Sequence, residues 1–189
     1  MMPGSKDLLT TTSFHMEVST VTVLETAKKM IDYSHGNLHD INHFMKVYAY
    51  AKMIADGEQL DPDTQKLVEM TALVHDIACP LCRVKYGNTN GKNQEKESAA
   101  LIAEFFKDSN LPQDFTDRIS FLVSHHHTLD QIDGIDYQII IEADYLVNAD
   151  ESHFSGHNIK NMYDKIFKTE TGKFLLRSMY QNCLENETL

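Results

Sequence analysis

Apolar residues recur three and four positions apart along nearly the whole chain after residue 17, which is the spacing of one face of an α-helix. Alternating strand patterns are scarce. The 189 residues suffice for one sizeable core, so we expect an all-α fold with a tail at 1–17 and a single helical domain at 18–189. The periodicity predicts helices near 19–33, 40–56, 62–78, 94–107, 113–127, 136–149, 158–167 and 170–185.

Turn-forming residues separate these segments. Gly36 and Pro112 lie at two of the breaks. Pro62 occupies a position where the first turn of a helix tolerates proline, and Asp61 before it is a candidate N-cap. The stretch 137–141 is rich in β-forming residues, but the chain continues from it with helical spacing.

Four predicted helices place a titratable side chain on their apolar stripe. His43 lies four and eight residues before Val47 and Ala51, so it heads an inward face. Asp40, one turn earlier, is a candidate acceptor for its ring. In the next helix, His75 and Asp76 interrupt the apolar run of residues 72–78. A buried carboxylate without a partner is costly, so Asp76 should be paired or bound to a metal.

Two later helices repeat this placement. His126 follows Leu122 by four residues, and Asp144 follows Ile140 by four. One inward histidine is usually a hydrogen-bonded core residue, but imidazoles and carboxylates from four helices that face one interior indicate a site for a divalent metal ion. Without an ion, we expect desolvation and like-charge repulsion to keep the carboxyls protonated.

The ordered residues His43, His75-Asp76 and Asp144 resemble the H…HD…D pattern of the HD superfamily. The resemblance spans about residues 38–150 and is carried by the segments 39–47, 72–78, 124–127 and 142–146. It implies an HD-domain-like helical bundle that binds one or two divalent ions, which can be Fe, Mn, Zn, Co, Ni or Mg. It also implies the metal ligands His43, His75, Asp76 and Asp144.

Some features of the family are missing. The acidic residues that follow the His-Asp pair in family nucleotidases and alarmone hydrolases are replaced by the stretch 77–82, and the Gly-Tyr-Pro element of the cyclic-dinucleotide phosphodiesterases is absent. Lys46 lies where the family often has arginine. The stretch 77–82 includes Cys79 and Cys82, which we interpret as buried packing residues because no βαβ pattern surrounds them.

The resemblance implies hydrolysis of a phosphomonoester or phosphodiester in a small metabolite or nucleotide, since a divalent ion activates water and polarises the phosphoryl oxygen. Lys46 would bind phosphate, and His125 or His126 would protonate the leaving group. The predicted catalytic residues are Asp76, Lys46, His125 and His126. The candidate ligands of a second ion are His125, His126, Glu95 and Glu97, and His127 is expected to be peripheral.

Two other functions stay open at this point. Some HD relatives use two irons for oxygen chemistry, so a di-iron oxygenase is one alternative. A ligand-sensing HD module that binds without turnover is the other. Metal analysis followed by a screen of phosphomonoesters and phosphodiesters would separate the three functions. Dioxygen consumption would indicate the oxygenase, and tight ligand binding without turnover would indicate the sensor.

The net charge and the composition restrict the kinds of molecule that the protein is expected to bind. The net charge is −11 and no basic cluster is present, so we expect a small phosphorylated substrate and no nucleic acid. No apolar run reaches the roughly 20 residues of a membrane span and no secretory signal is recognisable, so we expect a cytoplasmic protein that binds no membrane. Three cysteines do not form a disulfide framework. The oligomeric state is left open, and residues 150–189 are expected to form closing helices.

Overall fold

The computed structural model describes residues 20–185. Within that part of the chain all regular structure is helical and no strand occurs, so the all-α prediction is confirmed. The expected tail at 1–17 lies outside the described residues. The helices are α1 (Val23–Tyr33), α2 (Leu38–Gly57), α3 (Pro62–Val74), α4 (Cys79–Tyr86), α5 (Gly91–Phe106), α6 (Gln113–Val123), α7 (Ile135–Glu151), α8 (Gly156–Lys165), α9 (Glu170–Met179) and α10 (Gln181–Glu185).

Side-chain caps define several helix starts. Thr22 and Glu25 form a reciprocal capping box at the start of α1. Asp61 accepts hydrogen bonds from the backbone N–H groups of Asp63 and Thr64, as expected for the N-cap of α3, and Pro62 occupies the first helical position.

The main departure from the predicted helices lies after α3. We predicted one helix to residue 78, but α3 ends at Val74, and a separate helix, α4, follows a short turn. Pro80 lies in the first turn of α4, where its missing N–H costs nothing. Gly87 then ends α4 in the left-handed conformation, with φ of 70°. The periodicity did not reveal this break because both sides of it are apolar.

Two other predicted helices also differ from the structure at or near their C-terminal ends. α6 ends at Val123, and the turn that follows contains the three consecutive histidines. The predicted helix at 170–185 is divided into α9 and α10 at Tyr180. Both differences affect helix ends, which sequence periodicity defines poorly.

The core is built around α7, which is buried along nearly its whole length. One apolar cluster joins α7 to α2, α8 and α9, and a second joins it to α1, α3, α5 and α6. α2 packs against both α3 and α7. The polar side chains on the inward faces of these helices are therefore brought together inside the bundle.

A buried carboxylate attaches α9 to α7. Glu142 is fully buried and accepts hydrogen bonds from the backbone N–H groups of Lys168 at 2.6 Å and Thr169 at 3.0 Å, and also from the Thr169 hydroxyl. Gln138 donates to the same carboxylate at 2.7 Å. Gly172 of α9 packs directly against it, at a point where a Cβ atom would meet the Glu142 oxygen.

None of the described helices combines the length and apolar character that crossing a bilayer requires. The cytoplasmic location stays a prediction.

Candidate metal centre

The structure brings together the four side chains that the sequence singled out. His43 comes from α2, His75 and Asp76 from the turn after α3, and Asp144 from α7. The Nε2 atoms of His43 and His75 lie 3.2 Å apart, and Asp144 Oδ1 lies 3.3 and 3.5 Å from them. Asp76 Oδ2 lies 3.5 Å from His43 Nε2 and 3.7 Å from His75 Nε2. We call these four residues the primary cluster.

In His43, His75 and His126, the Nδ1 atom of the ring is hydrogen-bonded to an oxygen. Nδ1 of His75 is 2.8 Å from the carbonyl of Ala72, and Nδ1 of His43 is 2.9 Å from Glu151 Oε2. Nδ1 of His126 is 2.8 Å from the carbonyl of Val123. These oxygens can only accept, so Nδ1 is the donor in each ring and Nε2 is directed at the cluster. This is the arrangement that metal-binding histidines ordinarily show.

The titratable groups in the primary cluster strongly shift the pKa values of one another. Burial lowers the pKa of His43, but Asp144, Asp76 and Glu151 outweigh that effect and raise it to about 9. Burial raises the pKa of the Asp144 carboxyl, but His43 and His75 hold it well below its usual range. The pKa of Asp76 is lowered too, against its desolvation, by His75 and His126. The expectation of protonated carboxyls is therefore wrong, because surrounding imidazoles supply compensating positive charge.

A second group of possible ligands adjoins the first. Asp76, His126 and His127 each offer one ligand atom, and these atoms lie within 4.8 Å of one another. Asp76 Oδ1 is 3.7 Å from His126 Nε2, while Oδ2 of the same carboxylate lies by His43. Asp76 thus has one oxygen on each group. We call Asp76, His126 and His127 the secondary group.

This composition differs from the second site suggested by the sequence. His127, expected to be peripheral, belongs to the secondary group, and desolvation of its ring together with His126 lowers its pKa to about 4. His125 is directed elsewhere: its ring stacks on Phe121 with centroids 4.4 Å apart, and its Nδ1 is 2.7 Å from the Phe121 carbonyl. The reason is geometric, because successive residues of the turn after α6 point in different directions.

The two glutamates of the suggested second site have other partners. Glu95 Oε1 accepts a hydrogen bond from the Thr128 hydroxyl at 2.9 Å. Glu97 Oε1 accepts from Lys85 at 2.8 Å and from the Tyr86 hydroxyl at 2.6 Å, so it faces α4. Neither belongs to the ligand groups that the described residues form.

Lys46 is held by an acidic residue that the sequence analysis did not identify. Its Nζ lies 2.9 Å from Glu151 Oε1, while Oε2 of the same carboxylate bonds to His43. Asp40, expected to orient His43, instead forms an ion pair with Arg83 of α4. Glu151 ends α7 and lies 108 residues from His43, so only tertiary packing reveals the pair.

The donor set fits a divalent cation. The Nε2 atoms of His43 and His75 lie 3.2 Å apart, and the Nδ1 atoms of both rings donate to oxygen. Two Nε2 lone pairs at this distance repel each other unless a proton or a cation lies between them. His126 Nε2 is buried and has no hydrogen-bond partner among the described residues. Buried polar atoms are nearly always satisfied, and one cation in each ligand group would satisfy these nitrogens.

Two clefts open onto the ligand groups. The polar cleft, of about 270 Å³, is lined by His39, Asp40, His43, Asp76, Arg83, Asp144 and Glu151 among others. The apolar cleft, of about 240 Å³, has Tyr145, Phe154 and Met162 in its walls. His127, Asp144 and Asn148 line both clefts. A larger open depression of about 520 Å³ beside Lys66 and Phe115 contains no residue of either ligand group.

Both cysteines of the Cys-x-x-Cys pair are free and buried in α4. Cys79 borders the polar cleft, where burial, followed by Asp76, raises the pKa of its thiol. A protonated thiol is a poor metal ligand and a poor nucleophile. The burial agrees with the packing role expected from the sequence.

Comparison with known proteins identifies related sequences and folds. The family model described as the HD domain matches residues 40–150, which is more than half of the chain. The crystal structure of a predicted HD superfamily hydrolase from an uncultured Thermotogales bacterium is similar, with a TM-score of 0.60, 21% sequence identity and coverage of 86% of each chain. At that identity, the likeness extends to the fold alone. A search of the curated proteins found no match.

Proposed function

Since the chain belongs to the HD-domain family, a family of metal-dependent hydrolases, we propose that it hydrolyses phosphomonoesters or phosphodiesters of a small metabolite or nucleotide. The observation that carries this proposal is the primary cluster at the base of the polar cleft. There, the Nε2 atoms of His43 and His75 lie 3.2 Å apart, and the carboxylates of Asp76 and Asp144 each lie 3.3 to 3.7 Å from both of them.

His43, His75, Asp76 and Asp144 would hold a divalent ion, and the secondary group would hold a second one. Such an ion lowers the pKa of a water molecule and polarises a phosphoryl oxygen. Glu151 fixes the ring of His43, and Asn148 donates to Asp144 Oδ1 at 2.8 Å, so both act by orienting ligands.

Arg83 is the phosphate-binding group that the polar cleft offers. Among the described residues that line this cleft, it is the only lysine or arginine. Its planar guanidinium can bind two phosphate oxygens at once. It is paired with Asp40, so a phosphate dianion would compete with that carboxylate. Lys46 is less suited, since Glu151 holds it and it does not line the cleft.

Replacing Arg83 by alanine tests this assignment. We expect KM for a phosphoester to rise roughly tenfold or more, because a charge-assisted bidentate contact is lost and Asp40 is left facing the phosphate. Metal content should stay at the wild-type level. Arg177→Ala, which removes an exposed arginine from α9, is the matched control. Equal KM values for Arg83→Ala and Arg177→Ala would contradict the role of Arg83.

The reaction itself is tested with the purified protein. Metal content is measured by elemental analysis, and a panel of phosphomonoesters and phosphodiesters is assayed with and without added Mn²⁺, Fe²⁺, Zn²⁺, Co²⁺, Ni²⁺ or Mg²⁺. We expect turnover that a chelator abolishes and a divalent ion restores. A metal-loaded protein that cleaves no member of the panel would overturn the proposal.

The secondary group supports one other candidate, the di-iron oxygenase. Asp76 has one oxygen on each ligand group, which suits a carboxylate shared by two irons. Iron-dependent dioxygen consumption without phosphate release would favour this candidate. Binding of a phosphorylated ligand without any turnover would favour a ligand-sensing module.

A further inference from the structure

The apolar cleft begins at the ligand groups, since His126, His127 and Asp144 are in its lining, and it extends from them between apolar side chains. Apart from Asp144 at its shared wall, the residues that line it include no carboxylate, lysine or arginine. The rings of Tyr145 and Phe154 lie 5.5 Å apart at an angle of 45°. The other apolar residues of the lining are Leu129, Ile141 and Met162, and its neutral polar residues include Asn148 and Asn158. Such a lining binds apolar or aromatic groups and disfavours charged ones.

The position of the apolar cleft makes it part of the same site. Asp144, Asn148 and His127 lie between it and the polar cleft, and Asp144 belongs to the primary cluster. A phosphoester that reacts at the primary cluster with its phosphate towards Arg83 would therefore extend its organic group into the apolar cleft.

Leu129 and Asn158 offer an apolar and a polar contact in the lining of the apolar cleft. Leu129 keeps 40% of its surface exposed there, although exposure of a large aliphatic side chain is unfavourable. At the rim, Asn158 accepts a hydrogen bond from the Tyr145 hydroxyl through Oδ1. The amide group also carries donors, which can pair with a ring nitrogen or carbonyl oxygen at the edge of a heterocycle.

We propose that the apolar cleft is the binding subsite for an aromatic or heterocyclic group of the substrate, so that the preferred substrates are phosphoesters with such a group. This inference rests on the proposed function for the polar half of the site. The class includes nucleotides and aryl phosphates, and it disfavours phosphates of small polyols.

The test compares ligands that differ only in the organic group. Hydrolysis of 1-naphthyl phosphate is measured against that of glycerol phosphate, in the wild-type protein and in Phe154→Ala. Binding of two non-hydrolysable analogues, naphthalene-1-phosphonate and methylphosphonate, is measured by calorimetry. Loss of apolar contact area in a pocket of this kind reduces selectivity roughly tenfold or more.

We therefore expect wild-type protein to favour the naphthyl ligand in both assays, and Phe154→Ala to reduce each preference about tenfold. Phe154 packs against the core, so its variant is checked by thermal melting. Leu129→Gln, at an exposed position, is a second variant that should reduce the preference in the same direction. Leu24→Gln, at an exposed leucine of α1 that lines neither cleft, should keep the wild-type ratio.

The two proposals fail in different ways. Turnover of both phosphates with equal specificity, or equal losses for both ligands in the variants, would overturn the subsite and leave the phosphohydrolase in place. Selective binding of naphthalene-1-phosphonate that depends on Phe154, without turnover of either phosphate, would support the subsite and overturn the proposed reaction.

Discussion

The Asp76→Asn variant is expected to lose bound metal, turnover and thermal stability together. Asp76 is the one described side chain whose two oxygens face the two ligand groups, with Oδ2 3.5 Å from His43 Nε2 and Oδ1 3.7 Å from His126 Nε2. The amide nearly preserves the shape of the carboxylate, so the loss would come from charge and coordination and not from a cavity. Elemental analysis, a phosphoester assay and a thermal melt measure the three effects.

The expected decrease in Tm follows from the linkage between metal binding and folding. A metal present at 100 times its dissociation constant stabilises the native state by about 2.7 kcal/mol, and roughly 2–4 °C of Tm accompanies each kcal/mol in a domain of this size. We therefore expect Tm of the metal-loaded protein to fall by roughly 5–10 °C. Activity should fall by more than the 10- to 100-fold typical of residues that only orient a ligand.

The control for Asp76→Asn is Asp164→Asn. Asp164 is half-exposed and pairs with Lys160 on the surface of α8, so its removal should leave metal content unchanged and alter Tm little. Treating both proteins with a chelator should then bring their melting temperatures closer together. Wild-type metal content and wild-type Tm in Asp76→Asn would show that the primary cluster is not a metal site.

The Gly172→Ala variant is expected to be strongly destabilising for the addition of one methyl group. A Cβ atom at residue 172 would collide with Glu142 Oε2 and lie 2.6 Å from Thr169 Oγ1. Neither group can move freely, because the Glu142 carboxylate accepts the backbone hydrogen bonds that attach α9 to α7. The collision must therefore displace either the buried carboxylate or the start of α9.

We expect a cost of about 3 kcal/mol, from overpacking and the weakening of buried hydrogen bonds, and a decrease in Tm of roughly 6–12 °C. Gly156→Ala is the matched control, since Gly156 also lies in the first turn of a helix, but its Cβ would come no closer than 3.5 Å to Cys183. Denaturant unfolding of the two variants gives the comparison. Equal stability would mean that Glu142 does not restrain α9 as the geometry indicates.

The residues of the primary cluster could be predicted because each one interrupts an apolar stripe. His43 and Asp144 lie in helix interiors, where the 3.6-residue period fixes which way a side chain points. The His75-Asp76 pair was found by its apolar surroundings, although α3 ends just before it. The helical periodicity of the apolar residues was therefore enough to predict both the helical fold and the primary cluster.

The secondary group could not be assigned in the same way. His125, His126 and His127 follow the last residue of α6, so the helical period no longer determines which of them points inward. The extended helix predicted there placed His126 correctly but gave no reason to prefer His127 over His125. Glu151 was missed because it ends its helix and its partner His43 is distant in sequence.

The carbonyls of Ala72 and Val123, which bond to His75 and His126, lie near the ends of α3 and α6. The last four carbonyls of a helix have no N–H partner within the helix, and the two imidazoles fill that role here. The tautomer of each ring is thus selected by where the helix stops, and it is in place before any ion arrives. Loading of the ion should therefore require little rearrangement of these two rings.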